Sequence, residues 1–134
     1  MEFIIFFFVN WTPLFVACES GKLDIVSLLL KKSGINVNAQ TNDGMTPLFV
    51  AAMKGFDAIV VRLLSVPGIN VNAREYQSGI FFLCFFNKTA LHAAAENNHL
   101  HVVKILLYNE VTEVSAKTFD GIHLFVSFIK LLLI

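Results

Sequence analysis

The sequence predicts an all-α solenoid of stacked helix-turn-helix units with short β-turn tips. One observation is a recurring start, Thr-Pro-Leu-Phe-Val-Ala, at residues 12–17 and 46–51, with the variant Thr-Ala-Leu-His-Ala-Ala at residues 89–94. A second is the apolar stripe at helical spacing that follows each start. A recurring unit of about thirty-four residues is typical of repeat architectures, because such units bury their apolar faces only against neighbouring units.

The second unit, residues 45–77, is the most complete. Thr46 offers a side-chain oxygen as an N-cap, and Pro47 takes the first helical position, where its missing N–H costs nothing. Gly55 is expected to end this first helix, because such an end requires a residue that tolerates positive φ. A second helix is predicted from about Asp57 to Leu64, before Pro67-Gly68.

The same elements are predicted in the units at residues 11–44 and 88–121. The first of these has predicted helices at residues 13–20 and 23–31, and a polar tip at residues 40–44 that reads as a tight β-turn. The third starts at Thr89. Thr12 and Thr46 are 34 residues apart, whereas Thr46 and Thr89 are 43 residues apart. The third unit therefore arrives nine residues late.

These motifs resemble the ankyrin repeat. The family pattern is a Thr-Pro-Leu-His start, Ala-Ala, Gly, a second helix with Val-Val and Leu-Leu, and then Val-Asn-Ala before the next Asp-Gly. The match covers residues 11–79 and 88–121, roughly three-quarters of the chain.

The chain departs from the family pattern at a few positions. Phe15 and Phe49 stand where the family usually has His, and His92 keeps it. The resemblance implies that this His ties the loop to the next repeat by hydrogen bonds, so the first two units are expected to substitute packing. Ala90 replaces Pro, and Val111 stands where the first two units have Gly, which makes the exit turn of the third unit the least regular.

The remaining segments are strongly apolar. They are an N-terminal segment at residues 1–10, an insertion at the inter-repeat tip at residues 78–87, and a partial fourth repeat or hydrophobic tail at residues 122–134. Removing residues 78–86 restores the 34-residue step. One hypothesis is that some of these segments are translated non-coding sequence, which the mature transcript would test. The alternative is a genuine hydrophobic arm that covers the end of the stack or docks on lipid.

Composition and motifs argue against several classes of function. Ten basic residues balance ten acidic ones, which leaves no electrostatic footprint for nucleic acid. Cys18 and Cys84 form no metal-binding pattern, and His99 and His101 are interpreted as residues of a solvated helix. No nucleophile motif or phosphate loop occurs. We therefore expect no catalysis, cofactor, metal, small-molecule substrate or nucleic acid, and a cytoplasmic or otherwise intracellular location.

The resemblance implies a protein–protein interaction module that binds a protein partner on a concave surface of first helices and tips. Two alternatives stay open: a membrane-associated adaptor that uses the Phe-rich segments, and a fragment of a larger ankyrin-repeat protein whose effector domain lies elsewhere. Lys54 and Arg74 are expected to pair with partner carboxylates, and Met53 and Tyr76 to give apolar contact. The candidate binding residues are those that stacking does not use: Glu19, Ser20, Gln40, Thr41, Asn42, Met45, Met53, Lys54, Arg74, Glu75, Tyr76, Glu96 and Asn97.

Overall fold

The structure is a computed structural model, and it describes residues 10–76 and 87–114. In these ranges the secondary structure consists of helices without strands, in pairs that follow the three predicted units. First helices pack on first helices and second helices on second helices, which gives two parallel rows. The prediction of an all-α solenoid is confirmed. The helices are α1 (Pro13–Glu19), α2 (Leu23–Leu30), α3 (Pro47–Lys54), α4 (Asp57–Leu64), α5 (Ala90–Glu96) and α6 (Leu100–Leu107).

The first helices begin and end as the sequence predicts. The Thr46 hydroxyl accepts a hydrogen bond from the Phe49 N–H at 3.1 Å, and the Thr12 hydroxyl accepts one from the Phe15 N–H at 3.2 Å. A proline follows each of these caps. Gly55 ends α3 in the left-handed conformation, with φ 77° and ψ 27°. Each of these termini satisfies backbone groups that a helix end would otherwise leave without a partner.

Units 1 and 2 replace the family histidine by packing, as predicted. Phe15 and Phe49 are buried, and the Phe15 ring lies 4.9 Å from that of Trp11 between centroids. In unit 3, His92 is buried and its Nδ1 accepts a hydrogen bond from the Thr89 N–H at 3.2 Å. This bond completes a capping box with the Thr89 side chain. His92 thus helps to fix the start of α5, where Ala90 stands in place of proline.

The tips between units close with the same pair of hydrogen bonds. In the first tip, the Thr41 N–H donates to the Met45 carbonyl at 3.0 Å, and the Met45 N–H donates to the Thr41 hydroxyl at 3.2 Å. In the second tip, the Glu75 N–H donates to the Lys88 carbonyl at 3.0 Å, and the Lys88 N–H donates to the Glu75 carboxylate at 3.4 Å. The closing residues are four apart in the first tip and thirteen apart in the second. The nine additional residues therefore leave the base of the tip unchanged.

A left-handed residue precedes each unit at the same position. Asn10, Gly44 and Asn87 each lie two residues before the N-cap threonine, with φ of 75°, 76° and 48°. Asparagine is one of the few residues with a side chain that adopts this conformation readily. From Asn87 onward, the backbone of unit 3 therefore follows the same pattern as the backbones of the other units.

Two asparagines join consecutive units. The Asn38 amide donates to the Gly68 carbonyl at 2.8 Å and accepts from the Asn70 N–H at 2.7 Å. One unit later, the Asn72 amide donates to the Val111 carbonyl at 2.7 Å and accepts from the Glu113 N–H at 2.8 Å. The exit turn of unit 3 thus offers the same two backbone groups as unit 2, although Val111 replaces glycine.

We expect Asn72→Ala to destabilise the protein by roughly 1–3 kcal/mol, because it removes two hydrogen bonds between units 2 and 3 that are each worth about 0.5–1.5 kcal/mol. Urea denaturation measures this change. The matched control is Asn70→Ala, which keeps the backbone N–H that donates a hydrogen bond to Asn38. We expect this control to change stability by less than about 0.5 kcal/mol. Equal losses in the two variants would contradict the role of Asn72.

Several predicted segments lie outside the described residues. These are most of the hydrophobic N-terminal segment (1–9), most of the insertion together with Gln77 (77–86) and the C-terminal part of the chain (115–134), which includes the partial fourth repeat or tail. Within the described ranges, no helix has the length and apolar character needed to cross a membrane.

Candidate protein-interaction surface

The candidate residues on the first helices form two rows, because equivalent positions in the three units line up. One row, Ser20, Lys54 and Asn97, lies at the C-terminal end of each first helix and is exposed in all three units. The neighbouring row, Glu19, Met53 and Glu96, is half-buried in the first two units and exposed in the third. The structure thus brings these six residues together along one edge of the stack.

Three of the candidate tip residues are exposed, namely Gln40, Asn42 and Tyr76, and side-chain amides tie the tips to neighbouring residues. The Gln40 amide donates to the Gly44 carbonyl at 2.9 Å and to the Arg74 carbonyl at 3.3 Å. Asn42 accepts a hydrogen bond from the Asn10 amide at 2.8 Å. Adjacent tips are therefore held at fixed spacing by side-chain amides, and a partner would meet a pre-arranged surface.

Two candidate residues are not at the surface. Thr41 and Glu75 are 4% and 7% exposed, because their side-chain oxygens turn inward to close the two tips. The fold therefore uses these two side chains, contrary to the expectation that it leaves them available to a partner. Met45 and Met53 are half-buried and pack against the core, so each presents only part of its side chain to solvent.

The candidate cations are paired within the chain. Lys54 Nζ lies 3.6 Å from a Glu19 carboxylate oxygen, and Arg74 Nη2 lies 3.6 Å from one of Glu113. In unit 3, Lys88 Nζ lies 2.7 Å from a Glu96 oxygen. The pairs of Lys54 and Arg74 are solvent-accessible and stabilise the fold little, so a partner carboxylate can replace the internal one at low cost. The surface therefore carries mixed charge.

Glu75 is a buried acid at the second tip. Burial raises the pKa of its carboxyl, the hydrogen bond from the Lys88 N–H and the Lys88 charge oppose this rise, and Asp43 and Glu96 add to it. A folded-state pKa above the unfolded one means that stability falls as pH rises through the interval between them. At neutral pH the ionised Glu75 is therefore a net cost to folding.

We expect Glu75→Gln to raise the free energy of unfolding at pH 7, because the amide oxygen can still accept the Lys88 N–H without a buried charge. The gain should shrink as pH falls below the ordinary titration range of glutamate. Urea denaturation at pH 7 and pH 3.5 measures both effects. The exposed Glu110 provides the matched Glu110→Gln control, and a lower stability of Glu75→Gln at pH 7 would contradict the prediction.

His99 joins units 2 and 3, and its interpretation as a solvated residue is wrong. It is half-buried, and its Nε2 lies 2.9 Å from the Met53 carbonyl oxygen. Its ring also covers Gly55, where an added Cβ would lie 2.4 Å from Nδ1. His101, two residues on, is exposed as predicted. The sequence contains one sign of this role, because His99 occupies the position in unit 3 that Phe56 occupies in unit 2. The Phe56 ring covers Gly21 as the His99 ring covers Gly55.

Two further kinds of chemical site, a metal site and a reactive thiol, find no support among the described residues. Residues 10–76 and 87–114 contain no group of three or more His, Cys, Asp or Glu side chains that could hold a metal ion. Cys18 is fully buried in the core, and burial raises the pKa of its thiol to about 12. Such a thiol is a packing residue rather than a nucleophile.

Two protein-family models match this sequence. A family model described as ankyrin repeats (3 copies) matches residues 4–75, more than half of the chain, and a model described as ankyrin repeat matches residues 86–119. No curated protein matches the sequence. Ankyrin repeats are in general protein–protein interaction modules and typically have no catalytic activity. With its three capped helix pairs and these two matches, the chain belongs to the ankyrin repeat family.

Proposed function

We propose that this protein binds a protein partner through the edge formed by the ends of its first helices and its tips. The observation that carries the proposal is the row of Ser20, Lys54 and Asn97, which is exposed in every unit while the helices before it are largely buried. The solvent-accessible pair of Lys54 with Glu19 joins units 1 and 2 at this row but contributes little to stacking. A repeat protein presents such a row as an extended surface for recognition.

Tyr76 is the best candidate for an anchor on this surface. Its side chain is exposed, yet its N–H donates to the Asp43 carbonyl at 2.7 Å and its ring lies against Gly44. A tyrosine held in place offers a large amphipathic contact at a small loss of conformational entropy. Lys54 and its partner Glu19 add charge of both signs, so the surface suits a partner of mixed charge with an apolar spot for the tyrosine.

The test uses the full chain as bait in a cell lysate, with quantitative mass spectrometry of the retained proteins. Lys54→Ala with Tyr76→Ala removes the charge and the anchor from the proposed surface. The matched control, Val61→Ser with Arg62→Ala, changes two exposed positions on the second helix of unit 2. We expect a defined set of proteins to be retained by the wild type and the control and reduced at least about tenfold with the surface variant. Circular dichroism checks that both variants are folded.

A partner set lost with the control and kept by the surface variant would place binding on the second helices and overturn the proposal. A set unaffected by either pair of substitutions would likewise remove the first-helix edge as the binding surface.

A further inference from the structure

A second surface lies at the end of the stack, on the side of unit 1 that faces away from unit 2. We call it the leading face and define it by Trp11, Pro13, Val16, Lys22 and Ile25. These residues line an open groove of about 430 Å³. Val16 is 42% exposed and Ile25 is 49% exposed, in helices whose other side forms the core. The face borders the first-helix edge proposed above, because Ser20 of that edge also lines the groove.

Three of these positions, those of Pro13, Val16 and Ile25, are buried in the other two units. Unit 2 carries the same residues as unit 1 there, and Val50 is 1% exposed, Ile59 is 2% exposed and Pro47 is buried. In unit 3 the equivalent Ala93 and Val102 are buried as well. Units 2 and 3 each have a preceding unit packed against this side, helix row against helix row. The leading face of unit 1 therefore has the chemistry of a surface that, elsewhere in this chain, another unit covers.

The polar groups at the leading face also match those of an interface between two units. Lys22 stands at the position of Phe56 and His99, the residues that cover the last turn of the preceding first helix. There His99 contacts the Met53 carbonyl through Nε2 at 2.9 Å. A lysine at this position can donate to the same carbonyl and complements the negative end of a helix.

The turn after α2 adds a further match. In unit 2, the Gly68 carbonyl and the Asn70 N–H bind the amide of Asn38 from the preceding unit. The equivalent groups of unit 1 belong to Gly34 and Asn36, and both residues are exposed. A preceding unit that ends in the same Val-Asn motif would place its asparagine on these two groups.

We propose that the leading face binds an ankyrin unit of a partner protein, one that presents the surface by which unit 1 contacts unit 2. The partner's first and second helices pack into the apolar groove. Lys22 donates a hydrogen bond to the carbonyl at the end of the partner's first helix, and the Gly34 carbonyl and Asn36 N–H bind the amide of its asparagine. The proposed contact continues the two unit–unit interfaces inside this chain, and it does not depend on the first-helix edge being a binding surface.

The test links the proposed partner to the face, so that binding becomes intramolecular and its effective concentration high. A second copy of residues 11–44 is inserted between Asn10 and Trp11 of the full chain, which keeps the 34-residue step. The copy carries Met in place of its tryptophan, so that Trp11 stays the single tryptophan of the chain. We expect the urea midpoint to rise by about 1 M or more and Trp11 fluorescence to shift to shorter wavelength.

The matched control is Val16→Asp with Ile25→Asp, made in the parent chain and in the extended chain. Both side chains are about half exposed in the parent, so we expect a small effect there and loss of the whole gain in the extended chain. An extended chain no more stable than the parent, or one whose gain survives both aspartates, would overturn the proposal. A red shift of Trp11 fluorescence on deletion of residues 1–9 would also overturn it, because the occupant would then be the chain's own apolar N-terminal segment.

Discussion

Replacing Gly55 with valine is expected to destabilise the protein by about 2 kcal/mol or more, for two separable reasons. The φ of 77° lies in the left-handed region, where a β-branched side chain is strained. The added Cβ would also lie 2.4 Å from His99 Nδ1, which would displace the ring and its contact with the Met53 carbonyl. Urea denaturation measures the loss of stability.

Gly34 separates the two effects. It has the same φ of 77°, but no atom lies within 4 Å of the place where its Cβ would be. Gly34→Ala should therefore cost roughly 1 kcal/mol from the backbone alone, and Gly55→Ala distinctly more. In a His99→Ala background the two alanine substitutions should become similar. Equal costs with His99 present would contradict the ring contact between units 2 and 3.

Deleting residues 78–86 is expected to raise both stability and solubility. The tip closes through Glu75 and Lys88 by the same two hydrogen bonds as the uninterrupted tip, so the shortened chain can close it unchanged. Shortening the closed segment from thirteen residues to four lowers the entropy cost of closure by about 1 kcal/mol. The deletion also removes four phenylalanines from a run with high aggregation propensity.

A second variant separates length from hydrophobicity. Replacing the four phenylalanines of the insertion by serine keeps its nine residues, and we expect better solubility with little change in melting temperature. The deletion should change both, as static light scattering and thermal denaturation would measure. A deletion variant with a lower melting temperature or lower solubility would show that the insertion contributes to the fold.

The fold was predictable because its signals are local and recur. Thr46 with Pro47, and Gly55 after the helix, identify one helix start and one helix end by backbone chemistry alone. The same three signals stand 34 residues earlier at Thr12, Pro13 and Gly21, so the delayed start at Thr89 also located the insertion.

The contacts between units were harder to predict, because they depend on which side chains meet across the stack. Asn72 and His99 are polar residues with ordinary surroundings in the sequence, and their partners are backbone groups 39 and 46 residues away. Thr41 and Glu75 looked like surface residues of a polar tip, but their oxygens satisfy the backbone of that tip and so turn inward. The pairing of Lys54 with Glu19 was also not visible from either residue alone.

The central claim is that the three units form one continuous stack across the insertion. Hydrogen–deuterium exchange of the full chain, followed by mass spectrometry of peptides from α3 to α6, tests it most directly. If unit 3 packs on unit 2 through Asn72 and His99, the amides of α5 and α6 will be protected to a similar degree as those of α3 and α4, and Asn72→Ala will lower protection in both units. Fast exchange of α5 and α6 that Asn72→Ala leaves unchanged, beside a protected α3 and α4, would contradict the claim.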